Sequence, residues 1–365
     1  MESTHTAISQ LPLHTEHQSL GAKLGTFGSW EVPLYYTSIL AEHKAVRESC
    51  GVFDISHMGE FLVEGEEATA FLDYAQPRNI RDLKPGKAAY TWLLTDQGTC
   101  VDDIIIYKVN AKKYWIIVNA ANVDKDFSRF QSLVSRFSVS LQNKTPELGL
   151  LSIQGPKSAV ILEALYPSAS PSQLPYYGFT EIPGGMIART GYTGEDGFEV
   201  MIPNAQLTRL WKQLTQEYSA TPIGFGARDT LRLEAAMPLY GHELDEETTF
   251  HDLGFERLMD ASKDYAGKNG LQKSSSTKKL IGLVMQDKMI PRQGYALFQG
   301  EEKLGAITSG TLSPTLQKNI AMGFVSRSKF KPESPIEVEI RGKKYPASVC
   351  SLPFYSRAKK SGGNS

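Results

Sequence analysis

The eleven residues Arg189-Thr190-Gly191-Tyr192-Thr193-Gly194-Glu195-Asp196-Gly197-Phe198-Glu199 place three glycines and two carboxylates around one bend, with a third carboxylate just beyond it. Glycine tolerates positive φ and lets backbone approach a ligand closely. The composition is therefore that of a recognition loop, held between the apolar runs Met186-Ile187-Ala188 and Phe198-Glu199-Val200-Met201-Ile202, which read as strands. A second candidate is the pair Asp102-Asp103 at the head of the run Ile104-Ile105-Ile106-Tyr107, where strands disfavour aspartate. Side chains alternate along a strand, so Asp103 shares a face with Ile105 and Tyr107, and Asp102 shares the other with Ile104 and Ile106. Only one of the two acids faces a given pocket.

Arg228, in Gly226-Ala227-Arg228-Asp229-Thr230-Leu231-Arg232-Leu233-Glu234, stands at the start of a helix after a glycine-flanked loop. Its guanidinium suits a planar or carboxylate ligand, and an ion pair with Asp229 or Glu234 is the alternative reading. Tyr90, Tyr107, Tyr176, Tyr177 and Tyr192 lie near these segments, and aromatics with one polar edge suit a flat heteroaromatic ligand. The histidines form no HExxH. His14 and His17 are three apart without a third ligand nearby, and His57 reads as a core or loop residue. No GxSxG, P-loop or GxGxxG is present, which removes the commonest hydrolase, NTPase and dinucleotide readings; no metal, flavin or nicotinamide is expected.

The elements that must position these residues follow from periodicity. Residues 37–51 read as a helix with Glu42 and His43 on its surface and Gly51 as its stop. Residues 88–95 and 100–109 flank Asp96-Gln97-Gly98-Thr99, a strong hairpin signal, and 114–119 supply another strand. A helix then starts from Asn122 as N-cap, with Asp124 and Asp126 in its first turn and a stripe of Phe127, Phe130, Leu133, Val134 and Phe137. Another helix covers 206–218, and Pro238 should end the segment from Gly224. After the polar linker 273–279, six short β-runs punctuated by Gly300 and Gly342 indicate a small antiparallel barrel.

A chain of 365 residues exceeds the size at which one core usually keeps growing. The expected divisions are 1–147, 148–272 with interleaving between the two, a barrel over 280–357, and a flexible tail over 358–365. Basic and acidic residues balance at 39 against 40, so neither nucleic acid nor a polybasic membrane surface is the expected partner. Cys50, Cys100 and Cys350 show no metal or redox spacing, which points to a reducing compartment. With no leader pattern and no apolar run near the ~20 residues of a membrane span, a cytoplasmic location is expected.

The residues also resemble a known family. Trp30-Glu31-Val32-Pro33-Leu34-Tyr35-Tyr36, Glu42-His43-Lys44-Ala45-Val46-Arg47, Phe53-Asp54-Ile55-Ser56-His57-Met58-Gly59, the Asp102-Asp103 pair, Asn119-Ala120-Ala121-Asn122 with Lys125-Asp126, Gln154-Gly155-Pro156, the 189–199 loop, the 226–234 segment and Leu239-Tyr240-Gly241-His242-Glu243-Leu244-Asp245-Glu246 match in order. Thr308-Ser309-Gly310, Ser313-Pro314 and Pro353-Phe354-Tyr355 extend the match to the end. The chain resembles the T-protein of the glycine cleavage system, the tetrahydrofolate-dependent aminomethyltransferase. It departs after Thr248-Thr249, where it reads Phe250-His251-Asp252-Leu253-Gly254-Phe255-Glu256-Arg257-Leu258-Met259.

The resemblance implies an α+β fold, a three-domain cloverleaf-like arrangement around a central folate channel, with the barrel as third domain. It implies transfer of an aminomethyl group from the lipoylated H-protein to tetrahydrofolate, giving 5,10-methylenetetrahydrofolate and ammonia. By the same resemblance Asp103 is the catalytic residue, and Tyr90, Tyr107, Glu199 and Arg228 bind the folate. Arg357 meets its glutamate tail, and Asn119 lies at the lipoyl end. A folate-binding accessory protein of the same fold, of the iron–sulfur maintenance type, and a folate-dependent demethylase are the alternatives. The accessory relatives carry a Lys-Gly-Cys-Tyr type loop where this chain reads Thr190-Gly191-Tyr192-Thr193.

Overall fold

Strand alternation divides this chain's apolar residues between two sheets that face each other, with helices on the outside. The computed structural model describes residues 8–357, so the expected tail over 358–365 lies outside the described residues. The first sheet is antiparallel, in the order Lys87–Leu94, Cys100–Asn110, Lys113–Val118, Gly59–Glu64, Ser140–Asn143. The second has the order Phe179–Ile182, Gly185–Ala188, Gly197–Pro203, Leu148–Gln154, Gly51–Asp54, Thr221–Pro222. Gly51–Asp54 precedes the first sheet in sequence yet pairs with Leu148–Gln154 in the second, with Leu151 opposite Asp54, so the chain interleaves the two layers.

Each strand sends alternate residues to different cores. Ile104 and Ile106 pack with Phe61, Phe71 and Phe130 beneath the helices Ala68–Ala75 and Val123–Val134. Tyr107 and Ile105 point the other way, into the layer shared with Leu150, Met186 and Met201 of the second sheet. That layer also takes Ala227 and Leu231 from the helix Phe225–Glu234. The second sheet's outer face, with Ile153, Phe198 and Val200, is covered by Ser158–Leu165 and Asn204–Lys212. Burying side chains of this size stabilises by roughly 1.5–3 kcal/mol each.

The expected β-runs beyond 280 close into a six-stranded barrel in the order Lys278–Met285, Lys318–Ser326, Glu302–Ser313, Ala296–Gln299, Ile336–Ile340, Lys343–Cys350. Polar side chains fasten it to the helix Phe225–Glu234. Arg232 is fully buried and donates to Ser309 Oγ at 2.7 Å and to Glu243 Oε2 at 3.0 Å. Glu234 accepts from Ser313 Oγ at 2.5 Å, Thr315 Oγ1 at 2.7 Å and Arg47 Nη2 at 2.7 Å.

Two expectations fail. Glu42 and His43, expected on the surface of the helix Ile39–Glu48, are both buried. That helix packs against Phe225–Glu234, so Glu42 accepts the backbone N–H groups of Tyr36, Thr37 and Gly224, while His43 bonds Thr230 and Thr315. Pro238 does not end the helix from Phe225; it stops at Glu234, and Ala236 at φ 53° reverses the chain first. Asp126 does lie in the first turn of the helix Val123–Val134, as expected, and its side chain is fully buried. His17 bonds Asp54 and Tyr36, which accounts for it structurally. Among the described residues, no helix is long and apolar enough to cross a membrane, and no group of His, Cys, Asp and Glu has the arrangement of a metal site.

Candidate active site

The 189–199 loop joins Gly185–Ala188 to Gly197–Pro203 in an antiparallel hairpin. Its glycines have separate physical reasons. A Cβ on Gly191 or Gly197 would fall 2.1 and 2.4 Å from the Gln154 side chain, and Gly194 has φ +78°. Gln154 uses that closeness, donating to Thr190 O and accepting from Thr193 Oγ1. The tip acids shape the loop: Asp196 takes a bidentate pair from Arg189 at 2.9 and 2.6 Å. Glu195 accepts from Tyr355 Oη at 2.6 Å and Arg47 at 3.2 Å. Glu199, on the strand after the bend, points between the sheets and, among the described residues, accepts from Thr190 Oγ1 alone, at 2.5 Å. Burial raises its pKa, the Thr190 bond and the Arg228 charge oppose that rise, and the Tyr107 hydroxyl lies beside it.

Asp103 enters from the opposing sheet on the face predicted by alternation. It accepts from Tyr90 Oη at 3.0 Å and from Asn119 Nδ2 at 2.7 Å, so three of the singled-out residues form one cluster. Burial first, and then the neighbouring Asp102 charge, push its pKa up to about 7, against lowering by its two donors. A carboxyl raised in this way is suited to proton exchange near neutral pH. The Tyr90 hydroxyl also accepts from Trp92 Nε1 at 3.1 Å, which fixes its direction.

Arg228 forms neither of the intrahelical pairs considered for it; Arg232 takes Asp229 instead. Arg228 Nη1 donates to His57 Nε2 at 3.2 Å, and its guanidinium lies 5.3 Å from the ring centres of Tyr192 and Phe225. Burial and the Arg228 charge hold the His57 pKa well below its usual value, so the imidazole is a neutral acceptor that aims the arginine. Arg357 stands apart from this cluster, on the rim, 3.3 Å from Asp196. There, with Tyr176, Thr190, Met237 and Tyr355, it lines a cavity of about 300 Å³. A larger groove of about 840 Å³ on the barrel, beside Lys288 and Lys318, contains none of the candidate residues.

Residues 13–263 match the GCVT N-terminal domain, and residues 278–356 match the glycine cleavage T-protein C-terminal barrel domain. The chain belongs to the glycine cleavage T-protein family. It is 43% identical to an aminomethyltransferase of Deinococcus deserti, over 97% of this chain and 99% of that one. An aminomethyltransferase of Listeria monocytogenes is 40% identical over 97% of this chain and 100% of its own length. The solved glycine cleavage aminomethyltransferase T of Bartonella henselae superposes with a TM-score of 0.90 at 32% identity, over 96% of this chain and 98% of that one.

Within this T-protein fold, sequence reasoning missed several contributors. Trp92 and His57 act by orienting Tyr90 and Arg228, which spacing does not reveal. Asp102 accepts from the Asn119 backbone N–H at 2.9 Å, from Asn119 Nδ2 at 3.0 Å and from Asn122 Nδ2, on the face of the strand opposite Asp103. The departing 250–259 segment also reaches the site. Its Phe250 stacks on Trp92 at 4.0 Å, and Phe255 lies 6.5 Å from the ring of Tyr90. An aromatic residue in a segment of unfamiliar sequence was the only available signal.

Proposed function

We propose that this T-protein family member transfers an aminomethyl group from the lipoyl arm of an H-protein to tetrahydrofolate, with the folate between the two sheets and Asp103 at the reacting end. The observation that carries the reading is the meeting of two chemistries in the layer between the sheets. Glu199 and Arg228 offer a carboxylate acceptor and a guanidinium donor, the Tyr90–Asp103–Asn119 cluster offers a carboxyl raised toward neutrality, and Tyr177 and Tyr192 feel charges from both groups.

The 2-amino-4-oxo ring edge of a pterin carries N–H donors and a carbonyl acceptor. A carboxylate that accepts one internal hydrogen bond and an arginine bonded only to one imidazole have capacity left for that edge. Tyr192 supplies an aromatic wall, with the fully buried Tyr107 behind Glu199. Arg357 on the rim suits the carboxylates of a glutamate tail, in exchange for part of its pairing with Asp196.

In the reaction two C–N bonds form to folate N5 and N10, while the C–S and C–N bonds of the carried group break. Sulfur leaves as the dihydrolipoyl thiol and nitrogen as ammonia, each taking one of the two protons released by the folate nitrogens. The Asp103 carboxylate receives such a proton as nitrogen attacks, and its value near 7 allows it to give the proton up again. Most of the acceleration comes from alignment, which is worth up to about 7–11 kcal/mol in model systems. The test measures ammonia released from aminomethylated H-protein with and without tetrahydrofolate. Release that requires the folate is expected; folate binding without release overturns the reading in favour of an accessory role.

A further inference from the structure

The helix Val123–Val134 covers the face of the first sheet opposite the pocket, and it carries one carboxyl that helix chemistry does not explain. Asp126 is fully buried, and among the described residues no donor reaches either of its carboxyl oxygens. The acid it faces is Asp102, which Asn122 at the cap of this same helix holds by its side-chain amide. Two carboxylates cannot share a hydrogen bond; one of them must carry a proton. Asp102 already collects three N–H donors from Asn119 and Asn122, a set suited to a charged carboxylate, whereas Asp126 has none.

Burial first, and then the Asp102 charge, push the Asp126 pKa up to about 11, so at neutral pH it is the acid that donates. The other titratable groups facing this cluster are consistent with that assignment. Lys125 on the same helix opposes the rise at Asp126 without cancelling it. Cys100, Tyr90, Tyr177 and Tyr192, which feel the Asp103 charge, are all raised by burial and stay neutral.

The consequence for the pocket runs through Asn119. Its single Nδ2 amide group is divided between Asp102 Oδ1 at 3.0 Å, Asp103 Oδ1 at 2.7 Å and Asp103 O at 3.1 Å. We propose that Asp126 is a positioning residue for aminomethyl transfer: its carboxylic acid donates to Asp102, and this leaves the Asn119 amide free to hold the charge on Asp103. Without that donor, Asp102 draws the Asn119 protons to itself and Asp103 binds its own proton more tightly. The proposal rests on the functional reading above for its kinetic consequence, but not for its protonation claim.

The test compares Asp126→Leu, which removes the donor, with Asp126→Asn, which replaces the O–H by an N–H. In the leucine variant, kcat for transfer at pH 7 should fall roughly tenfold, as expected for losing a hydrogen bond to a charged group, with KM for tetrahydrofolate little changed. The acid limb of its pH–rate profile should move to higher pH, and the asparagine variant should restore both toward wild type. A folded leucine variant with wild-type kcat and profile overturns the proposal, as do two variants equally impaired with unshifted profiles. A difference infrared spectrum of wild type against Asp126→Asn needs no turnover and decides the matter even if the leucine variant does not fold. A protonated-carboxyl band at pH 7 is expected, and its absence overturns the proposal. A wild-type chain that shows the band but transfers nothing refutes the functional reading alone.

Discussion

Glu234 and Asp103 are both carboxylates withdrawn from water, and the protein treats them in opposite ways. Glu234, where the helix Phe225–Glu234 meets the barrel, receives Arg47, Ser313, two bonds from Thr315 and the His43 imidazole at 3.3 Å. Those donors outweigh burial and bring its pKa down to about 2. Asp103 receives two side-chain donors and lies beside another acid, so burial wins and its pKa rises to about 7. The number and charge of donors set against burial separate a carboxylate that fastens two parts of the fold from one proposed to exchange protons.

The largest effect should come from Asp103→Asn, which keeps the shape and removes the base. Transfer should fall by on the order of 10²–10⁴-fold while tetrahydrofolate binding persists, as measured by a coupled methylene-folate assay and by titration. Full turnover would show that the carboxyl is dispensable. The same variant checks the cost of the raised pKa. A group whose folded value lies above its unfolded value of 3.8 loses its stabilising contribution as pH rises toward 7. Asp103→Asn should therefore unfold at higher denaturant concentration than wild type at pH 8, with no such advantage near pH 3.

Glu234→Gln should reverse that pattern. Its folded value lies below the unfolded 4.5, so the stabilisation is complete above pH 4.5 and is lost as pH falls toward 2. Chemical denaturation at pH 7 should show a loss of about 3 kcal/mol, closing as the medium is acidified. A deficit that stayed constant with pH would mean that shape rather than charge holds the barrel. Next in size is Glu199→Gln, which keeps an acceptor but drops the charge proposed to face the pterin edge. KM for tetrahydrofolate should rise on the order of tenfold with kcat nearly unchanged. A fall in kcat alone would move Glu199 from binding to chemistry.

The same contrast explains what the sequence made legible. Alternation along 100–110 separated Asp103 from Asp102 correctly, because the period of a strand is a local property. The hairpin at 189–199 and the six barrel strands were readable for the same reason, since turn residues and short β-runs are local signals. Glu42 and His43 were misplaced because a helix covered on two sides buries its polar face, and what covers it is distant in sequence: Gly224 and Thr315 respectively. Arg228 was singled out on pattern, but its partner His57, 171 positions away, was not. Donor counts around a buried acid are likewise tertiary facts, so the opposite fates of Glu234 and Asp103 could not be read from their neighbours in the chain.

The smallest expected effect tests whether the tip acids belong to the fastening kind. Tyr355 donates to Glu195 at 2.6 Å, and the Arg47 guanidinium lies 3.9 Å from the centre of its ring. Tyr355→Phe keeps the ring under the arginine and removes only the hydroxyl. Glu195 still has Arg47 at 3.2 Å, so it is not left unpaired. The loss should be about 1 kcal/mol in stability, the ordinary size of one such bond, with kcat intact. Because the ring lines the cavity where Arg357 stands, KM should respond only if the loop itself moves. A large rise in KM with unchanged stability would show that Glu195 and Tyr355 contact the folate directly, and the loop tip would then join Asp103 and Glu199 as part of the site rather than its frame.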